Sequence, residues 1–256
     1  MKHLRGKTVF VTGASSGFGK AIAEAFAKNG ANLIIAARRL DRLKILSAEL
    51  RKKFKIEVLI LALDVRKKTE IFKAVKNLSA KWQNIDILVN NAGLSRGLDP
   101  LHEGSIKDWE EMLDTNVKGL LYVTRAVLPG MVKRNSGHII NIGSIAGHEV
   151  YPKGNVYCAS KHAVDAITKG IRLDVVNTDI RVTTIDPGLA ETEFSIVRFR
   201  GNVNKAKSVY NGIEALKAED IADAVIYAAS RPLNFVVAEM ILLPNKQASA
   251  GVVHRN

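Results

Sequence analysis

The chain has little of what builds disulfides, linkers and membrane spans. Its 256 residues include one cysteine, Cys158, and six prolines, and only 6% are aromatic. A single thiol excludes an intrachain disulfide and reads as a packing residue, which removes the main staple of small secreted domains. Few prolines, scattered glycines and no Ser/Gly/Pro-rich stretch leave no linker, and no repeat of solenoid period appears, so one domain over residues 1–256 is expected. Long hydrophobic runs are missing as well. The opening "MKHLRGKTVFVTG" passes from a basic tail into an apolar run too short for a signal segment or a span. Together these absences predict a cytoplasmic protein.

Acidic residues are also scarce, 25 against 38 Lys and Arg, for a formal charge of +13. Such a balance suggests phosphate as a partner. The basic residues, however, are dispersed over "RGK", "RRLDRLK", "RKKFK" and "RKK", without interleaved aromatics or a recognition-helix motif, which argues against nucleic acid. The six histidines lack ligand spacing with Cys, Asp or Glu, so no metal site is expected.

What the chain does have is alternation. Short β-rich runs ("KTVFVTG", "ANLIIAARR", "EVLILALDV", "IDILVNNAG", "GHIINIGS", "IRVTTIDPG", "EMILLP") are separated by amphipathic stretches of helical length, and "SIKDWEEMLDTNVKGLLYVTRAVLPGMVKR" reads as one long helical stretch. Apolar strands alternating with helices predict an α/β fold of Rossmann type, a doubly wound parallel sheet. Ligands in such sheets bind beyond the carboxyl ends of the strands.

The residues at those ends carry the chemistry. "TGASSGFG" sets Gly13, Gly17 and Gly19 between the first strand and first helix, for a tight turn, a close approach to pyrophosphate and close helix packing; Ser15, Ser16 and Phe18 lie in the same loop. The second strand ends in "AARRL", with Ala37 where an NAD enzyme offers a carboxylate to the ribose. Arg38 and Arg39 instead suit a ribose 2′-phosphate, which predicts NADP. Asp64, followed by Val65, ends the third strand and either faces the adenine or caps the next helix. Asn91, Ala92 and Gly93 in "NNAG" form a candidate cofactor wall.

Tyr157 and Lys161 stand four apart on a helical stretch and so share a face, with Ser144 shortly upstream. A carbonyl that gains hydride at carbon needs a proton at oxygen, and the reverse reaction needs a base. A tyrosine with a pKa of about 10 becomes that base only if neighbouring positive charge favours its phenolate.

Taken together, "TGASSGFG", "NNAG", Asn116 in "DTNVKG", Ser144 in "NIGS", "YCASK" and "DPGLAET" resemble, in order and spacing, the short-chain dehydrogenase/reductase family over essentially the whole chain. The resemblance implies that Tyr157 is the acid and base, that Lys161 lowers its pKa and holds the nicotinamide ribose, that Ser144 bonds the substrate oxygen, and that Asn116 holds a water relaying protons to Lys161. It further implies that Pro187 and Gly188 lie against the nicotinamide, that Thr192 contacts the carboxamide or phosphates, and that the protein is a homotetramer built around its long fourth and fifth helices.

"ETEFSIVRFRGN" and the ending "EMILLPNKQASAGVVHR" resemble the branch of NADP-dependent 3-hydroxy acid dehydrogenases, which oxidise L-serine, L-allo-threonine and 3-hydroxyisobutyrate or interconvert 3-hydroxypropionate and malonic semialdehyde. A "DGG"-like ending, usual in 3-oxoacyl carrier-protein reductases, is absent. A hydroxy acid needs a cation for its carboxylate. Arg198, in a lid segment spanning residues 192–217, is the first candidate; Arg96 is the second, and His148 and Tyr151 are candidate pocket residues. A broad carbonyl reductase and a non-catalytic NADP(H) sensor are the alternatives.

Overall fold

The computed structural model describes residues 4–256. Seven strands, β1 (Thr8–Thr12), β2 (Asn32–Ala37), β3 (Val58–Ala62), β4 (Ile87–Asn90), β5 (Gly137–Ile142), β6 (Ile180–Pro187) and β7 (Glu239–Leu242), form one sheet in the order β3-β2-β1-β4-β5-β6-β7. All six pairings are parallel. The order reverses between β1 and β4, which opens a crevice at the carboxyl end of the sheet there.

The helices are α1 (Gly17–Lys28), α2 (Leu40–Phe54), α3 (Lys68–Lys76), α4 (Ala80–Gln83), α5 (Ile106–Leu113), α6 (Leu120–Lys133), α7 (Asn155–Asp174), α8 (Glu193–Arg198), α9 (Val203–Ser208) and α10 (Ala218–Ala229). Because a strand sends successive side chains to opposite faces, β1 serves two cores at once. Val9 and Val11 pack with Ile22 and Phe26 of α1, Leu43 and Leu46 of α2, and Val225 of α10. Phe10 packs on the other side with Ile71 of α3, Val123 and Met131 of α6, and Ile171 of α7. Fully buried side chains of this size stabilise the fold by about 1.5–3 kcal/mol each, before chain entropy is set against them. No helix among the described residues is long and apolar enough to cross a membrane.

Two departures from the sequence reading matter for the site. The expected long helix divides into α5 and α6 around a π-helical turn, Asp114–Gly119. This wider turn lets the Asn116 side chain reach the loop after β4, where it accepts from Leu94 N and donates to Leu94 O, both at 2.8 Å. The second departure is α10, absent from the expected series, whose apolar face completes the α1 and α2 layer. The 192–217 segment contains α8, which lies over the carboxyl end of the sheet, and α9, which packs against α8.

Candidate active site

The turn after β1 is forced by close packing. Gly13 has φ +67, and a Cβ there would meet Asn91 Nδ2 at 2.8 Å; a Cβ on Gly19 would run into the Gly13 carbonyl. Asn91 Nδ2 donates to Thr12 O at 2.8 Å, tying the loop after β4 to the loop after β1. The cavity these loops bound is lined by Gly13, Ser15, Ser16, Gly17 and Phe18, by Arg38 and Arg39, by Asp64 and Val65, by Asn91, Ala92 and Gly93, and by Tyr157, Lys161 and Thr192. Gly19 sits beneath it. Backbone this close to open space, at a helix N-terminus, fits a pyrophosphate, and the two arginines fit a further phosphate beside it.

Arg39 is already oriented: its guanidinium donates to Ser15 Oγ, to Ser16 Oγ at 2.6 Å and to Glu193 Oε2 at 3.0 Å. Arg42 reaches the same carboxylate at 2.7 Å. Neither Arg42 nor Glu193 was expected. Arg42 was legible as the third cation of "RRLDR", three residues beyond Arg39 on α2; Glu193, distant in sequence, gave no signal. Asp64 accepts from the backbone and guanidinium of Arg66, so its side chain does not cap α3, whose N-cap is Lys67. Of its two readings, the cavity wall is the one its position leaves open.

At the other end of the cavity, α7 buries Tyr157, Lys161, Val164, Thr168 and Ile171 along one stripe. Lys161 Nζ donates to Ile142 O at 2.9 Å and lies 6.0 Å from the Tyr157 ring centre. Burial lowers its pKa to about 8, against the pull of the Asp186 carboxylate. Burial also raises the Tyr157 phenol well above its ordinary value, helped by Tyr151 and opposed by the Arg198 guanidinium and the Ser144 hydroxyl. Desolvation is the largest influence, and Lys161 is not among the groups that oppose it, so the phenol favours its protonated form, the one that donates to a carbonyl oxygen. Asn116 Nδ2 also reaches Ser160 Oγ at 3.0 Å, one residue before Lys161. Both N–H groups of its amide are thereby used, and its Oδ1, which accepts only from Leu94 N, keeps one acceptor site.

Ser144 follows β5. Its N–H donates to Asp186 Oδ1 at 3.0 Å, and its hydroxyl donates to Pro187 O and accepts from Ala146 N. Asp186, whose Oδ1 also accepts from Thr184 Oγ1, thus fixes the residue it faces across the sheet; sequence reasoning singled out its Pro-Gly neighbours and passed over it.

A second cavity meets the first along Gly143, Tyr157, Thr192 and Phe194. Ser144, Pro187, Gly188, Tyr151 and Arg198 line it, with Tyr210 and the C-terminal residues Gln247 and Arg255. Gln247 is held by Leu189 N, which donates to its Oε1 at 2.8 Å, and Arg255 donates to the carbonyls of Asn211 and Val209. The tail therefore forms a wall of the pocket. Arg198 is 9% exposed and stacks over Tyr157 and Phe194, at 5.4 and 5.1 Å to the ring centres. Its Nη2 donates to Tyr151 OH at 3.1 Å, while its buried Nε has no partner.

Two expected substrate residues lie elsewhere. Arg96 is paired with Glu111 at 2.8 Å and donates to Val197 O, so its charge is spent bracing α5 against α8. His148 follows the 3₁₀ turn Ile145–Gly147, which carries it behind Asp186 rather than into the pocket. Its Nε2 faces Asp186 at 3.5 Å and its Nδ1 faces Glu239 at 3.8 Å. The three residues bring one ligand atom each close enough together to hold an ion, a grouping that sequence spacing did not reveal.

A dinucleotide crevice at the switch point of a parallel sheet, with a buried tyrosine and lysine at its far end, defines a dinucleotide-dependent oxidoreductase fold and site. The short chain dehydrogenase family model matches residues 7–202. The chain is 49% identical over 250 residues to the NADP-dependent 3-hydroxy acid dehydrogenase of Salmonella typhi, covering 97% of this chain and 99% of the relative. It is 43% identical over 256 residues to that of Schizosaccharomyces pombe, covering 100% and 99%. Among solved structures, the closed form of serine dehydrogenase complexed with NADP+ superposes with a TM-score of 0.91 at 47% identity, covering 97% of this chain and 100% of that one. The chain belongs to the short-chain dehydrogenase family.

Proposed function

We propose that this protein transfers hydride between NADP(H) and carbon 3 of small 3-hydroxy acids, with L-serine, L-allo-threonine, 3-hydroxyisobutyrate and 3-hydroxypropionate as the substrates to try. The dehydrogenase class and NADP are supported by the relatives and by Arg38 and Arg39. NADP, when bound, supplies or accepts the hydride; the chain's residues do the rest. Gly13, Gly17 and the α1 N-terminus hold the pyrophosphate, Arg38 and Arg39 the 2′-phosphate, and Lys161 the nicotinamide ribose. Ser144 fixes the reacting oxygen, Tyr157 gives it a proton in reduction or takes one in oxidation, and Asn116 holds the water that reconnects Lys161 to solvent. The protein works in this reading as a homotetramer in the cytoplasm.

The observation that carries the substrate class is Arg198: a buried guanidinium beside the acid-base tyrosine, with an unpartnered N–H and no carboxylate paired to it among the described residues. A substrate carboxylate neutralises that charge and places carbon 3 next to Tyr157. Such a charge-assisted contact contributes about 1.5–3 kcal/mol, or roughly 10- to 100-fold in KM. Arg198→Met, which keeps the packing on Phe194, is expected to raise KM for hydroxy acids by that factor while KM for a plain secondary alcohol stays within about twofold, as followed by NADPH absorbance. Equal losses on acids and alcohols would remove the carboxylate role and leave a general carbonyl reductase.

A further inference from the structure

The lid segment delivers a carboxylate into the cation cluster at the cofactor end of the crevice. Glu193 opens α8, and its two oxygens receive Arg42 Nη1 at 2.7 and 2.9 Å and Arg39 Nη1 at 3.0 Å. Arg38, Arg39 and Glu193 all line the same cavity as the phosphate loop. The Glu193, Arg39 and Arg42 side chains each retain 40–42% of their exposure, so the pairs are screened by solvent and exchange partners readily. A phosphate offers a guanidinium more charge and more acceptor oxygens than a carboxylate does. A phosphate drawn to Arg39 also meets the negative charge of Glu193 within the same cluster.

We propose that Glu193 is a specificity-determining residue: its carboxylate and the dinucleotide 2′-phosphate are alternative partners of Arg39 and Arg42, and the exchange frees α8 from the phosphate loop. The consequence reaches the substrate. The next residue along α8, Phe194, packs on Tyr157 at 5.7 Å, and Arg198 ends the same helix. Phosphate on one end of α8 and a substrate carboxylate on the other are thereby linked, and by reciprocity each affects the affinity of the other. An unphosphorylated dinucleotide leaves the Glu193 pairs in place and sends no such signal. This inference rests on the reading that NADP occupies the first cavity.

The test needs no turnover. Calorimetry measures the binding of adenosine 2′,5′-bisphosphate and of 5′-AMP to the unaltered chain and to Glu193→Gln, with amide hydrogen exchange followed across residues 193–208. Removing the competing charge is expected to tighten the bisphosphate about five- to tenfold while 5′-AMP changes less than about twofold, a gap that narrows as salt rises. In the unaltered chain the bisphosphate, and not 5′-AMP, is expected to speed exchange in α8; in Glu193→Gln exchange is fast from the start. An unchanged or weakened bisphosphate affinity in Glu193→Gln, or the same gain for both nucleotides, overturns the role of Glu193. If the unaltered chain binds the bisphosphate no tighter than 5′-AMP, the NADP reading itself fails and this inference falls with it.

Discussion

Replacing Tyr157 with phenylalanine is expected to lower kcat by about 10²–10⁴-fold, the range of a positioned acid or base, with NADPH affinity held within about twofold. The ring stays, so its stacking with Phe194 and Arg198 persists and no cavity opens; the melting temperature should hold. Only the hydroxyl is lost, and with it the proton that a new alkoxide requires. Because burial holds this phenol protonated, the unaltered enzyme should reduce carbonyls across neutral pH with a rate that falls only on the alkaline side. Oxidation, which needs the phenolate, should speed up as pH rises. Both limbs should vanish in Tyr157→Phe. A variant that keeps its rate, or that loses dinucleotide binding in proportion to kcat, would move the chemistry away from Tyr157; unchanged binding with no measurable turnover in either protein would favour a sensor.

The strand ends were readable because a parallel sheet leaves its chemistry there. Gly13, Asn91, Ser144 and Thr192, far apart in sequence, converge because β1, β4, β5 and β6 end together. The i, i+4 pair on α7 was readable for the same reason, since helical period alone puts Tyr157 and Lys161 on one buried stripe. Side-chain direction after a turn was not. His148 and Arg96 sit near the right motifs, but a 3₁₀ turn aims the first behind Asp186 and an ion pair with Glu111 claims the second. Pairing across the fold was equally hidden. No local pattern joins Glu193 to Arg39 and Arg42, or Asp186 to Ser144, because those contacts exist only once α8 and β6 are in place. The π-helical turn escaped too: the positions it buries, Thr115, Asn116 and Gly119, carry no large apolar side chain, so no hydrophobic period marks where the helix widens.

Lys161→Met should separate the two things that lysine does, losing activity while gaining stability. In the folded chain burial lowers the ammonium's pKa to about 8 from 10.5. Between those values the unfolded chain binds a proton that the folded chain has released, so this lysine makes stability rise with pH from about 8 to 10.5. Below that window the full penalty of a buried charge is present, on the order of 3 kcal/mol for a shift of this size. Methionine has the same reach without the charge. It leaves the Ile142 carbonyl without its donor, which costs about 1 kcal/mol. The net gain at pH 7 is then roughly 2 kcal/mol, or about 4–8 °C in melting temperature for a domain of this size. At pH 10.5 and above, where the lysine is neutral in the folded chain, the gain should disappear and the carbonyl's loss should remain. Turnover should fall at least about 100-fold at pH 7, where the lysine still carries its charge, because a neutral thioether neither favours the phenolate nor donates to a ribose hydroxyl. Thermal unfolding at pH 7 and pH 10.5, with NADPH-linked rates on the same samples, decides it. A variant less stable at pH 7, or shifted equally at both pH values, would mean that Lys161 is stabilised in the fold by something stronger than its bond to Ile142 and the field of Asp186.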